Sequence, residues 1–134
     1  MSTTNAFGFS VDVPAAYEEA DSRVRELLKG EGFGVLTEID VRATLREKLD
    51  VALPRYEILG ACNPPLAHRA LQADPDVGLL LPCNVVVAER AEGGSRVSFM
   101  DPVAILGLVD NAALAPIAAD AAERLRRVAA ALER

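Results

Sequence analysis

The chain has 134 residues, 51% of them hydrophobic but only 4% aromatic, and it carries a formal charge of −6. That length predicts one domain spanning residues 1–134, able to bury roughly two thirds of its unfolded surface without disulfides or a structural metal. The acidic balance and the scarcity of aromatic rings argue against a nucleic-acid partner, which needs a basic surface and stacking platforms, and no apolar run is long enough to predict a membrane span.

The first residues, Met-Ser-Thr-Thr-Asn, lack the basic patch and apolar stretch of a secretion signal. With only two cysteines besides, the expected compartment is the cytoplasm, with both thiols reduced. Phe7, Phe9, Val11 and Val13 alternate with polar residues and predict a half-buried strand over 7–13. Pro14 fits a first helical position, where its missing N–H costs nothing. Val13, Tyr17, Ala20, Val24, Leu27 and Leu28 then recur at helical spacing, up to a Gly30-Glu31-Gly32 stop.

Alternation resumes over 33–39, placing Phe33, Val35, Thr37 and Ile39 on one side and Leu36 and Glu38 on the other. Asp40 predicts an N-cap for a short helix with Val41, Leu45 and Leu49 turned inward. A third strand is predicted over 56–61. Asn63-Pro64, a cap followed by proline, opens a second short helix that runs to Asp74-Pro75. Leu79-Leu80-Leu81 reads as an apolar strand segment leading to Pro82. Strands over 84–90 and 96–101 flank Glu92-Gly93-Gly94-Ser95, a hairpin signal. After a turn over 104–111, a last helix carries Ile117, Ala121, Leu125, Val128 and Leu132 as its apolar stripe, with Pro116 in its first turn.

This order predicts an α+β two-layer sandwich: a largely antiparallel sheet covered by helices, with a β-α-β4-α core and two short inserted helices. Val85-Val86-Val87 is apolar on both strand faces. The second sheet face is therefore expected to be covered in places, most simply by a second copy in a homodimer.

The chemistry-bearing candidates are few. Cys62 ends a predicted strand one residue before the Asn63 cap, so a thiolate there would lie near a helix N-terminus. A helix terminus supplies about 0.3–1 kcal/mol, less than the roughly 1.4 kcal/mol that moves a thiol by one pKa unit, and no cation adjoins Cys62 in the sequence. Cys83, between Pro82 and Asn84, reads more readily as a core residue of an apolar strand. A separation of 21 positions between the two thiols, with no Cys-x-x-Cys, gives weak grounds for zinc or a redox pair, and no metal or cofactor is expected. His68, the single histidine, falls off the apolar face of its helix and is expected to be exposed. Glu38, Asp40 and Asp101 could converge with a thiol, although capping and solvent exposure are the commoner roles of such residues. Phosphate-loop, dinucleotide-binding, nucleophile-elbow and zinc-protease motifs are all missing from the sequence.

Four segments taken together resemble the family called domain of unknown function 302. They are Glu31-Gly32-Phe33-Gly34-Val35-Leu36-Thr37-Glu38-Ile39-Asp40, Ile58-Leu59-Gly60-Ala61-Cys62-Asn63-Pro64, Leu80-Leu81-Pro82-Cys83-Asn84-Val85-Val86-Val87, and Asp101-Pro102. The resemblance covers nearly the whole chain and implies a two-layer domain of TATA-binding-protein-like topology. It implies no established activity, and shared topology carries no DNA binding with it. Matching positions, and hence candidates for a site, are Glu38, Cys62, Asn63, Pro64, Cys83, Asn84 and Asp101. Two readings follow. The first is a homodimeric binding or interaction module that takes a small molecule; the second is a thiol-dependent protein (redox, persulfide or soft-metal handling) that uses Cys62 with Cys83.

Overall fold

Where apolar and polar residues alternate the chain is extended, and where apolar residues recur every three or four it coils. In the computed structural model, which describes residues 2–134, the strands are β1 (Ser2–Thr4), β2 (Gly8–Val13), β3 (Gly34–Asp40), β4 (Tyr56–Cys62), β5 (Cys83–Glu89) and β6 (Ser95–Met100). The helices are α1 (Tyr17–Gly30), α2 (Val41–Leu49), α3 (Pro64–Ala73), α4 (Pro102–Leu106) and α5 (Leu114–Leu132), with a 3₁₀ helix over Pro75–Leu80. The six strands lie in the order β1-β2-β6-β5-β4-β3, and each neighbouring pair is antiparallel. The molecule is thus an α+β two-layer sandwich.

The register sorts the side chains between the layers. Phe9, Val11 and Val13 of β2, Val97 and Phe99 of β6, Val85 and Val87 of β5 and Leu59 of β4 are all buried, and they form the face that packs on the helices. Against them lie Ala20, Val24 and Leu28 of α1 and Ile117, Ala121, Leu125 and Val128 of α5. Phe9 and Phe99 stack with centroids 5.3 Å apart, and the Arg126 guanidinium sits 4.2 Å over the Phe9 ring as a cation–π lid. Arg23 ties α1 to the end of α5 by donating to the Ala131 carbonyl at 2.9 Å.

Several expectations are corrected here. Pro14 lies outside the helix, which begins at Tyr17 after an extended Ala16. The polar Ser2–Thr4 segment pairs with β2 as an edge strand that carries no apolar signature. Leu79 and Leu80 belong to the 3₁₀ helix rather than to a strand, and Leu79 stands 88% exposed. None of the α2 residues is buried, so Val41, Leu45 and Leu49 do not form an inward stripe. The segment expected as a turn over 104–111 begins instead inside α4.

β3 departs most from its pattern. A bulge between Val35 and Thr37 leaves Leu36 unpaired and reverses the alternation, so that Glu38 stands opposite Leu59 and Ile39 opposite Ile58. Phe33 and Val35 stay on the helix side, whereas Thr37 and Ile39 turn to the other. That second face is not covered by the chain's own helices: Ile58 and Val86 are half-buried there and Ile39 is exposed. Gly60 is required on it, because a Cβ would overlap the Thr37 side chain and come within 2.8 Å of Pro82.

Beneath α1, Glu57 meets Tyr17, Asp21 and Arg25. Its Oε1 has no hydrogen-bond partner, and Arg25 Nη2 lies 3.6 Å away. Arg25 is itself divided between Asp21, at 2.8 Å, and Glu38. Burial first, and then the Asp21 carboxylate, push the Glu57 carboxyl from 4.5 up to about 7. The folded state therefore holds this proton more tightly than the unfolded chain does. Stability is lost as pH rises from 4.5 to about 7 and stays reduced above that. Glu57→Gln is expected to flatten this slope and to add about 1–3 kcal/mol above pH 7, measured by urea unfolding at a series of pH values.

Candidate functional site

One end of the sheet gathers the end of β4, the start of β5, the end of β6 and the bulged start of β3. β4 leaves the sheet at Cys62 and turns directly into α3 at Asn63. The Asn63 side chain makes this turn: its Oδ1 accepts from Leu66 N at 3.3 Å, and its Nδ2 donates to the Glu31 carbonyl at 3.4 Å. Arg124 of α5 donates to the same carbonyl at 3.0 Å, and Arg127 holds the Glu31 carboxylate at 2.9 and 3.1 Å. The Arg127 guanidinium keeps that carboxyl below its ordinary range. Glu31 thus joins the end of α1 to both α3 and α5. The adjoining Gly32, at φ +84°, leaves room for the Asn63 amide, which a Cβ would approach to 2.9 Å.

With α3 fixed in this way, a pocket of about 370 Å³ opens between the sheet end and the helices. Leu36 and Thr37 of β3, Ala61 and Cys62 of β4, Cys83 and Met100 form the sheet side. Leu66, Ala67, Ala70 and Leu71 of α3 face Ile117 and Ala121 of α5, with Leu81, Pro82, Pro102 and Leu106 completing the wall. None of these side chains is charged, and the accessible wall is almost wholly carbon and sulfur.

Of the residues singled out in the sequence, Cys62, Asn63 and Cys83 meet at this pocket and the others do not. Glu38 is bound to Arg25 beneath α1. Asp40 caps α2 through Ala43 N at 2.9 Å, and Asp101 caps α4 through Val103 N at 2.9 Å with Arg126 3.7 Å away. Pro64 is an exposed residue in the first turn of α3; Asn84 and His68 are exposed as well. Sequence reasoning missed Leu66, Ala70, Leu81, Ile117 and Ala121 as wall residues. Their only signal is apolarity, which looks the same in a pocket wall as in a packed core.

Cys83 is buried and Cys62 half-buried. Cys83 pairs across the ladder with Ala61, the residue before Cys62, and both thiols line the same pocket. Burial raises the Cys62 thiol above its ordinary value; Cys83, more deeply buried and beside Cys62, is pushed up to about 11. The α3 terminus is therefore outweighed by desolvation, as its small magnitude allows. Among the described residues no cluster of three or more His, Cys, Asp or Glu side chains could hold a metal, and no helix is long and apolar enough to cross a membrane.

The fold and this pocket define an antiparallel α+β sandwich with an uncharged cleft at one sheet end. The chain belongs to the family Domain of unknown function DUF302, whose model matches residues 9–132. Three solved chains match it. One is the crystal structure of an uncharacterized conserved DUF302 protein from Bacillus stearothermophilus, 36% identical, covering 92% of this chain and 96% of its own, with a TM-score of 0.85. No curated protein matches.

Iodoacetamide at neutral pH is expected to alkylate Cys62 more slowly than a free thiol, with a rate midpoint above that of a free thiol. Cys83 is expected to react only after unfolding. Peptide mass spectrometry over time and pH checks both, and a depressed Cys62 midpoint would contradict the desolvation argument.

Proposed function

We propose that this protein is a binding module for an uncharged, predominantly apolar small molecule seated in the pocket between α3, α5 and the end of the sheet. One observation carries the reading: a concavity of about 370 Å³ has no charged side chain in its wall. That volume falls within the range of small-molecule sites, and such sites are mostly apolar with few polar groups. Burying an ion there would cost several kcal/mol with nothing to pair it, whereas each buried methylene of a ligand contributes about 0.8 kcal/mol. The balance selects neutral, carbon-rich ligands.

A thiol-dependent activity has less support. Burial raises both thiols above their ordinary value, and among the described residues no cation lowers either one. A neutral solvatochromic dye such as Nile red is expected to brighten on binding. Ala70→Phe, which would fill the pocket from α3, is expected to weaken that binding about tenfold or more while leaving the circular dichroism unchanged. Equal binding by a folded variant would remove the proposal.

The same reading makes the protein a homodimer formed through the sheet face that lacks helices. What supports this is the apolar strip of Ile39, Ile58 and Val86, with Ile39 49% exposed. Sedimentation equilibrium is expected to give twice the chain mass for the native protein and the single-chain mass for Val86→Arg. A monomeric native protein at high concentration would end the dimer reading and leave the pocket untouched.

A further inference from the structure

Resting on the pocket reading above, we infer that the ligand is a straight alkyl chain that enters tail first and leaves its polar end at the mouth, as a medium-chain alcohol, ester or acyl group would. The wall is built from small and aliphatic residues, among them Ala61, Ala67, Ala70 and Ala121, and no aromatic ring lines it. A site for a flat ring ordinarily supplies aromatic partners; here Phe9 and Phe99 stack on each other instead, and Tyr17 lies under Arg55.

Polar atoms inside the pocket are already engaged. The Asn63 amide is held by Leu66 N and the Glu31 carbonyl. A polar head driven inward would lose its water without finding a partner, a cost that an apolar tail avoids. The one hydroxyl on the wall belongs to Thr37, which is exposed at the rim. Beside it the bulge leaves Leu36 69% exposed, and Leu71 of α3 stands 42% exposed. Both leucines line the pocket, so apolar surface continues outward from the cavity into solvent. A chain longer than the cavity would cover these leucines, whereas a compact molecule confined to the cavity would leave them in water.

The test uses neutral alcohols on the full chain, read by displacement of Nile red. Hexanol, octanol and decanol, all unbranched, are expected to bind with affinity rising about fourfold per methylene. Adamantanol and naphthol, which have the same carbon count as decanol, are expected to bind about tenfold more weakly after correction for their own transfer from water to octanol. Ala67→Phe is expected to weaken decanol about tenfold or more. If that variant does not fold, wild-type Cys62 decides: decanol, and not adamantanol, must slow its alkylation several-fold. A flat chain-length series, or compact alcohols that bind and protect as well as decanol, overturns the alkyl-chain inference while the pocket reading stands. Failure of both the dye and every alcohol to bind overturns both.

Discussion

A single buried amide, that of Asn63, holds the pocket end of the molecule together. It lies where β4 turns into α3, capping the helix with its oxygen and reaching back with its nitrogen to the Glu31 carbonyl just past α1. A buried asparagine is tolerated only when its polar atoms are matched, and here the partners come from two helices that are distant in the chain. The Glu31 carbonyl that receives the amide also receives Arg124, so α1, α3 and α5 meet at one backbone oxygen. Were this junction looser, α3 would be free to settle onto the sheet end, and the space between them would be lost to ordinary core packing.

The charge distribution follows the same division. Ion pairs gather on the helix surfaces and at the far side of the sheet, as with Arg25 among Asp21, Glu38 and Glu57, Arg96 on Asp12, and Arg127 on Glu31. The pocket end has none in its wall. Desolvation therefore acts there without opposition, and the thiols rise in pKa although one of them adjoins a helix start. A helix terminus contributes only a fraction of a unit at such a site, and burial of a thiolate exceeds that readily.

Three residues of the pocket wall, Cys62, Asn63 and Cys83, were singled out from the sequence. Cys62, Asn63 and Pro64 are legible as a strand end, a cap and a first helical turn because each role depends on residues within one turn of the chain. Asp40 and Asp101 are capping residues for the same reason. The role of Glu38 was not legible: the Leu36 bulge reverses the strand's alternation just before it and sends its carboxylate toward Arg25. Periodicity also misread Leu79-Leu80-Leu81, since a short apolar run following Pro75 suits a 3₁₀ helix as well as a strand.

By itself, then, the sequence determined the α+β class, the positions of the main strands and helices, the caps that delimit several of them, and the membership that its Cys-Asn-Pro and Leu-Pro-Cys-Asn segments announce. These are short-range matters, set by side-chain spacing, turn residues and backbone hydrogen bonds between near neighbours. Only the tertiary structure decided that Leu36, Ala67, Cys83 and Ala121 share one cavity, that burial raises both thiols, and that Ile39 stands exposed on the second sheet face. Such features arise from surfaces brought together across the whole chain. An apolar side chain carries the same local signal whether another side chain or an open space lies beyond it.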